Sequence, residues 1–195
     1  MAVQVLHVCD KFGVKGSSIH GVSRLFSWWF PRYDGERFSV SLCGLKAPEP
    51  ASELLQRQGI DVHHLCRGRF DPRIVSDLVE LGRKRGAGIL HVHGYAAADF
   101  GRLAARRLGA KLVLHEHFAD PALPAYQALA DRLLARWTDR AIAVSGSTRD
   151  SGGSARTAHG KAPTASKVAA TTRTIVDFMD APLRSLHAHW CGKRQ

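Results

Sequence analysis

"GILHVHGYAAADFGRLAARRLGAKLVLHEHF", residues 88–118, contains a complete strand–helix–strand unit. "GILHVHG" is a short apolar run of strand length. "AAADFGRLAARRLG" has helical composition and stops on a glycine, and "AKLVLHEHF" returns to a strand. The same alternation extends in both directions. Upstream, Val3–Cys9 reads as a first strand, and Ser17–Trp29 as a helix with Val22, Leu25, Phe26 and Trp29 on one face. Arg37–Leu45 is a second strand, "PASELLQRQG" a helix that Gly59 ends, and Ile60–Leu65 a third strand. "DPRIVSDLVELGRKRG" carries Asp71 as its N-cap, a proline at the first helical position, a basic last turn and a closing Gly86. Downstream, "LPAYQALADRLLARWTD" is a helix and "RAIAVSGS" a sixth strand. Strands alternating with helices predict an α/β, Rossmann-like parallel sheet with helices on both faces. No internal repeat or heptad pattern competes with that reading.

The alternation stops near Asp150. "SGGSARTAHGKAPTASKVAATTR" has almost no large apolar residues, so it cannot bury enough surface to offset its ordering entropy. Residues 1–150 are expected to be the folded domain. Residues 151–195 are expected to be a disordered tail, or a translation of a GC-rich gene in a shifted frame. The 195 residues carry a formal net charge of +11, and the tail alone holds seven Lys/Arg against two Asp/Glu. Such a surface suits nucleic acid, anionic headgroups or phosphorylated ligands, or serves solubility alone. The N-terminus lacks the charged and apolar regions of a signal peptide, and no apolar run reaches membrane-span length. Cys9, Cys43 and Cys66 lie near strand ends and Cys191 in the tail, with no C-x-x-C pair. They read as reduced, mostly buried thiols of a cytoplasmic protein.

Ligands of an open parallel sheet bind outside the carboxyl ends of its strands. Four groups of residues fall there. After strand one come Gly13, Gly16 and Gly21, spaced G-x-x-G-x-x-x-x-G. That spacing fits neither G-x-G-x-x-G nor a P-loop, since Val22 stands where the P-loop lysine belongs. His93, Gly94 and Tyr95 follow strand four, Glu116 and His117 strand five, and Ser145 strand six. Residues two apart on a strand share a face, so His91 pairs with His93 and His115 with His117. Two H-x-H motifs invite a zinc reading, but no acidic third ligand stands at metal spacing. Ser145 lacks the G-x-S-x-G elbow and reads as a cap for a helix from Thr148. Trp28 and Trp29 read as core or interface. Arg83-Lys84-Arg85 and Arg106-Arg107 each end a helix, where cations complement the dipole.

In order, "VQVLHVCDKFGVKGSSIHGVSRLF", "ILHVHGY", "KLVLHEHF" and "TDRAIAVSGSTRD" resemble the N-terminal half of the family 4 retaining glycosyltransferases. The resemblance covers about residues 1–150. It implies one half of a GT-B architecture, in which two Rossmann-like domains face each other across a cleft. It also implies transfer of a sugar from a nucleotide-sugar to a glycan or lipid-linked acceptor, as in polysaccharide biosynthesis, with no metal and no cofactor beyond that substrate. By the same resemblance Gly16, Ser17 and Gly21 lie under the donor phosphates, although the usual adjacent Gly-Gly pair is absent. His117 matches the residue beside the reacting sugar and acceptor. His93, Tyr95, Glu116 and Ser145 line the acceptor cleft. Peripheral contact with an anionic membrane is a further partner that the resemblance admits.

The family's donor-side residues, an Arg/Lys pair and an E-x7-E motif, have no counterpart after Asp150, and no glutamate follows Glu116. Cations and dipoles on a leaving diphosphate contribute several kcal/mol each. The chain by itself is therefore expected to transfer sugar slowly or not at all. Two other functions fit less of the sequence. One is a binding subunit whose companion chain supplies the donor half, and the other a metal-dependent hydrolase built on His91, His93, His115 and His117. A nucleic-acid binder fits the charge but carries no aromatic–basic motif of a known module.

Overall fold

The computed structural model describes residues 1–13, 21–117 and 124–145. Six strands form one sheet: β1 (Val3–Cys9), β2 (Phe38–Gly44), β3 (Val62–His64), β4 (Ile89–His93), β5 (Lys111–Glu116) and β6 (Arg140–Ala143). Their order is β3-β2-β1-β4-β5-β6, and all five pairings are parallel. Five helices connect them: α1 (Gly21–Trp29), α2 (Pro50–Arg57), α3 (Arg73–Arg85), α4 (Tyr95–Leu108) and α5 (Ala125–Leu134). This is the expected Rossmann-like sheet, with its change of direction between β1 and β4.

Each sheet face has its own core. Leu6, Val8, Leu90, Val92, Leu112 and Leu114 point to one side and pack with Ile74, Leu78, Ala97 and Ala104 of α3 and α4. On the other side Cys9, Leu42 and Val62 pack with Phe12, Phe26, Phe30 and Leu55 beneath α1 and α2. A strand buried on both faces reads as a near-continuous apolar run, as β2 and β4 do. On β1, β4 and β5 that run is interrupted. His7, His91, His93 and His115 take the α1-side positions between the leucines and valines, and all four are buried.

Helix ends follow the residues read from the sequence. Gly59 and Gly86 lie at positive φ, +80° and +63°, after α2 and α3. Basic residues fill the last turns of α3 and α4. The start of α3 differs by one residue. Pro72 occupies the cap position, and Asp71 outside it accepts the Arg73 N–H at 3.0 Å. Cys9 and Cys43 are buried, and burial pushes both thiols up to about 12; Cys66 is exposed. Of the tryptophans on α1, Trp28 is 56% exposed, whereas Trp29 is half-buried and stacks on His115. Among the described residues no helix is long and apolar enough to cross a membrane. Ser17 to His20 of the expected first helix, the helix from Thr148 and the expected tail, residues 151–195, lie outside the described residues.

Candidate functional site

The carboxyl ends of β1 and β4 flank the change of direction in the sheet, the place where open α/β sheets bind ligands. Carboxylates organise the backbone there. Asp10, one residue past β1, accepts the N–H groups of Ala97 at 2.6 Å and Ala96 at 3.3 Å, and so holds the first turn of α4. Burial pushes its pKa up, and those two N–H groups pull it back. Glu49, just before α2, accepts the N–H groups of Phe12 at 2.7 Å and Gly13 at 2.9 Å. The first amides of the glycine loop thus already hold an anion. A phosphate must use amides further along, toward Gly16.

Five histidines meet beside this edge. Parallel registers set His7 opposite His91, and His93 opposite His115. His7 Nδ1 lies 3.1 Å from His93 Nε2, and His93 Nδ1 lies 2.9 Å from His117 Nε2. The ring centres are 5.4 and 5.2 Å apart, in both cases 2.3 Å more than the N···N distances of 3.1 and 2.9 Å. That excess is two centre-to-nitrogen radii of an imidazole. The nitrogens therefore lie on the line joining the centres, and the rings meet edge to edge. With interplanar angles of 18° and 25°, His7, His93 and His117 form a nearly flat hydrogen-bonded ribbon. At its inner end the Tyr33 hydroxyl lies 3.3 Å from His7 Nε2. His91 and His115 lie against the faces of the ribbon, with centres 4.5 Å from His93 and 4.2 Å from His117.

Burial governs the protonation of this cluster. Desolvation lowers the pKa of His7 to about 3 and of His115 to about 2, and drives His91 and His93 well below the ordinary histidine value. Repulsion among the rings adds to the shift. All four are neutral at pH 7, each with one donor and one acceptor nitrogen. His91 Nε2 and His115 Nδ1 are buried without a hydrogen-bond partner. Each such orphan costs about 1–3 kcal/mol, which marks the cluster as more than packing.

Neutral imidazoles are also zinc ligands. His7, His91 and His93 each offer a nitrogen within 4.8 Å of the others, as do His93, His115 and His117. The ring planes favour hydrogen bonding over coordination. Both nitrogens of His93 face another ring's nitrogen, and His91 and His115 lie face-on to the ribbon rather than pointing to a shared centre. Neither triad includes a carboxylate to offset a buried dication.

Of the residues singled out from the sequence, His93 and His117 are in direct contact. Tyr95 is half-buried and opens α4, and Glu116 is half-buried at the last position of β5. Ser145 is exposed two residues beyond Ala143, the register partner of Glu116. Gly21 is the exposed first residue of α1, and a Cβ there would meet nothing within 4 Å. Packing does not demand glycine at that position. Gly16 and Ser17 lie outside the described residues. Sequence reading missed His7, Tyr33, Asp10 and Glu49. For His7 a signal existed, a polar residue alternating with Leu6 and Val8, but its partner became visible only with the register of β1 on β4.

The fold is shared with solved structures. The protein Alr3699/HepE of Anabaena, in complex with UDP, superposes with a TM-score of 0.59 at 19% identity, over 80% of this chain and 42% of that one. The same protein with UDP-glucose gives 0.58 at 18% identity, over 79% and 41%. MurG of Acinetobacter baumannii gives 0.53 at 18% identity, over 75% and 42%. The chain thus spans about two fifths of the length of these structures. No curated protein matches the sequence. The family model of Glycosyltransferase Family 4 matches residues 30–155, most of the described sheet included. The chain belongs to glycosyltransferase family 4, and its Rossmann-like sheet is the N-terminal domain of that family's GT-B architecture.

Proposed function

We propose that this chain is the acceptor-side half of a glycosyltransferase that moves a sugar from a nucleotide-sugar to a glycan or lipid-linked acceptor. The observation that carries the reading is the placement of His117. It stands at the carboxyl edge of β5, half-buried, with its Nε2 held by His93. A side chain so fixed can contact a ligand in the crevice without reorganising, which is how preorganised groups stabilise developing charge. In this reading His117 is the catalytic residue, and His93, Tyr95, Glu116 and Ser145 line the acceptor cleft. Gly16, Ser17 and Gly21 lie under the donor phosphates. Glu49 supports the loop, because it occupies the Phe12 and Gly13 amides and leaves the later ones to a phosphate.

The likeness to proteins solved with UDP and UDP-glucose makes a uridine nucleotide-sugar the first donor to try. The donor-side half, with its Arg/Lys pair and E-x7-E motif, comes from outside the 195 residues, either in a longer polypeptide or as a companion chain. No metal or cofactor is needed beyond the nucleotide-sugar. Transfer takes place on the cytoplasmic side, and the chain's net charge of +11 suits it to an anionic membrane carrying lipid-linked acceptors.

The test combines the chain with a family 4 donor-side domain and follows UDP release from UDP-glucose, then from other nucleotide-sugars. His117→Ala is expected to lower turnover about 10²-fold or more, as loss of one preorganised donor does elsewhere, with the circular dichroism unchanged. Equal turnover in that variant would remove His117 from the mechanism.

A further inference from the structure

We infer that Tyr33, His7 and His93 form a hydrogen-bond chain of fixed direction that presents His117 as a neutral imidazole with its proton on Nδ1. That makes His117 a hydrogen-bond donor toward a ligand oxygen and not a base. The direction is set at the inner end. Tyr33 Oη lies 3.3 Å from His7 Nε2. A phenol is a stronger donor than an imidazole N–H, and an imidazole nitrogen a stronger acceptor than a phenol oxygen, so the hydroxyl donates. Burial keeps that phenol protonated, with its pKa pushed up to about 12.

Each later step follows from the neutral ring's single proton. His7 accepts at Nε2, so its proton is on Nδ1 and is donated to His93 Nε2, 3.1 Å away. His93 then carries its own proton on Nδ1 and donates it to His117 Nε2 at 2.9 Å. His117, accepting at Nε2, has its proton on Nδ1. Each proton stays on its ring, and no charge forms.

Both nitrogens of His7 and of His93 are used, so the chain has one alternative only, reversal of every bond. Reversal would expose a lone pair at His117 Nδ1 and make a phenol oxygen accept from an imidazole. The desolvated surroundings of His7, formed by Phe26, Phe30, His91 and His93, offer nothing charged to drive it. Tyr33, His7 and His93 are positioning residues; none of them need touch a ligand. The oxygen that His117 addresses is a hydroxyl of the sugar or acceptor, and this last point alone rests on the function proposed above.

Long-range ¹H–¹⁵N correlation spectra of the ¹⁵N-labelled 195-residue chain at pH 7.5 read the tautomers directly, whether or not any sugar is transferred. His7, His93 and His117 are expected to show protonated Nδ1 and bare Nε2. Tyr33→Phe keeps the ring and removes the hydroxyl, and it should turn the single His117 tautomer into a mixture. A wild-type His117 with its proton on Nε2 overturns the inference, and so does a His117 spectrum that Tyr33→Phe leaves unchanged. If Tyr33→Phe does not fold, the wild-type spectrum decides alone. One equivalent of zinc in the purified chain, with histidine ¹⁵N shifts that move on chelation, also overturns it, since a metal would take the nitrogens the chain needs. Failure of UDP-glucose turnover with intact Nδ1–H tautomers would instead refute the proposed reaction and leave the chain standing.

Discussion

Gly94 sits at φ +103° and ψ 167°, a backbone region open essentially to glycine, at the point where β4 gives way to α4. A Cβ added there would come within 2.8 Å of the Asp10 carboxyl group. The carboxylate that caps α4 therefore fits only over a residue with no side chain. Gly94→Ala is expected to cost about 2–4 kcal/mol, from the strained dihedral and the displaced cap together. Gly86 provides the comparison. Its φ is +63°, but a Cβ there meets nothing within 4 Å. Gly86→Ala should cost about 1–2 kcal/mol, the left-handed term alone. Urea midpoints of the two variants measure the difference, and equal midpoints would show that the Asp10 contact matters little. The sequence places a glycine after the strand. It does not say that Asp10, 84 residues earlier, is the reason for it.

Helix α5 packs on α4 through polar groups. Arg102 of α4 is wholly buried and donates to Asp131 Oδ1 at 2.7 Å and to Thr138 Oγ1 at 3.1 Å. Gln127, also buried, donates to Asp99 at 2.9 Å. Leu129 and Leu133 on the same helix are each 57% exposed. Apolar patterning alone would turn this helix the other way round, so the buried guanidinium decides its orientation. Removing one partner of a buried pair leaves an uncompensated charge, and Asp131→Ala is expected to cost about 3–5 kcal/mol. Glu53→Ala, which breaks an exposed Glu53–Arg57 pair at 3.9 Å, should change stability by less than about 0.5 kcal/mol. Guanidinium melts of both variants check the contrast, and a cost below about 1 kcal/mol for Asp131→Ala would mean that the pair relaxes into water. Boundaries at this scale were mostly legible, because the glycines and basic turns that stop helices act over a few residues. The rotation of α5 was not, since it depends on which residue of a different helix carries a buried charge.

For the whole domain, the four neutral histidines set an acid limit. Their folded pKa values lie below the unfolded value, so the unfolded chain binds more protons as pH falls. The stabilisation is complete above about pH 6.5 and is lost on acidification, toward about 3 for His7 and about 2 for His115. At pH 5.5 each of the four costs about 1.4 kcal/mol, roughly 5–6 kcal/mol together. Asp99, raised to about 6 chiefly by burial, acts in the opposite sense and returns about 1 kcal/mol. Asp10, also raised by burial, adds to that return. A domain with about 5–15 kcal/mol to lose should therefore unfold between roughly pH 4.5 and 6. His115→Gln should flatten the slope of stability against pH by about one proton. Equilibrium melts from pH 8 to 5 test this, and stability that stays level down to pH 5 would mean that the histidines are not held neutral.

By itself the sequence determined the alternation of strands and helices, the stops at Gly59 and Gly86, and the shared face of His91 with His93 and of His115 with His117. These are properties of short segments, governed by side-chain period and local backbone preference. The tertiary structure alone decided that His7 stands opposite His91, that His93 reaches His117, and that Tyr33 closes the chain. These four partners lie at positions 7, 33, 93 and 117 on separate elements. They meet because parallel register and the packing of α1 over the sheet place them there, and register is fixed by the burial of whole faces rather than by any residue's neighbours in the chain.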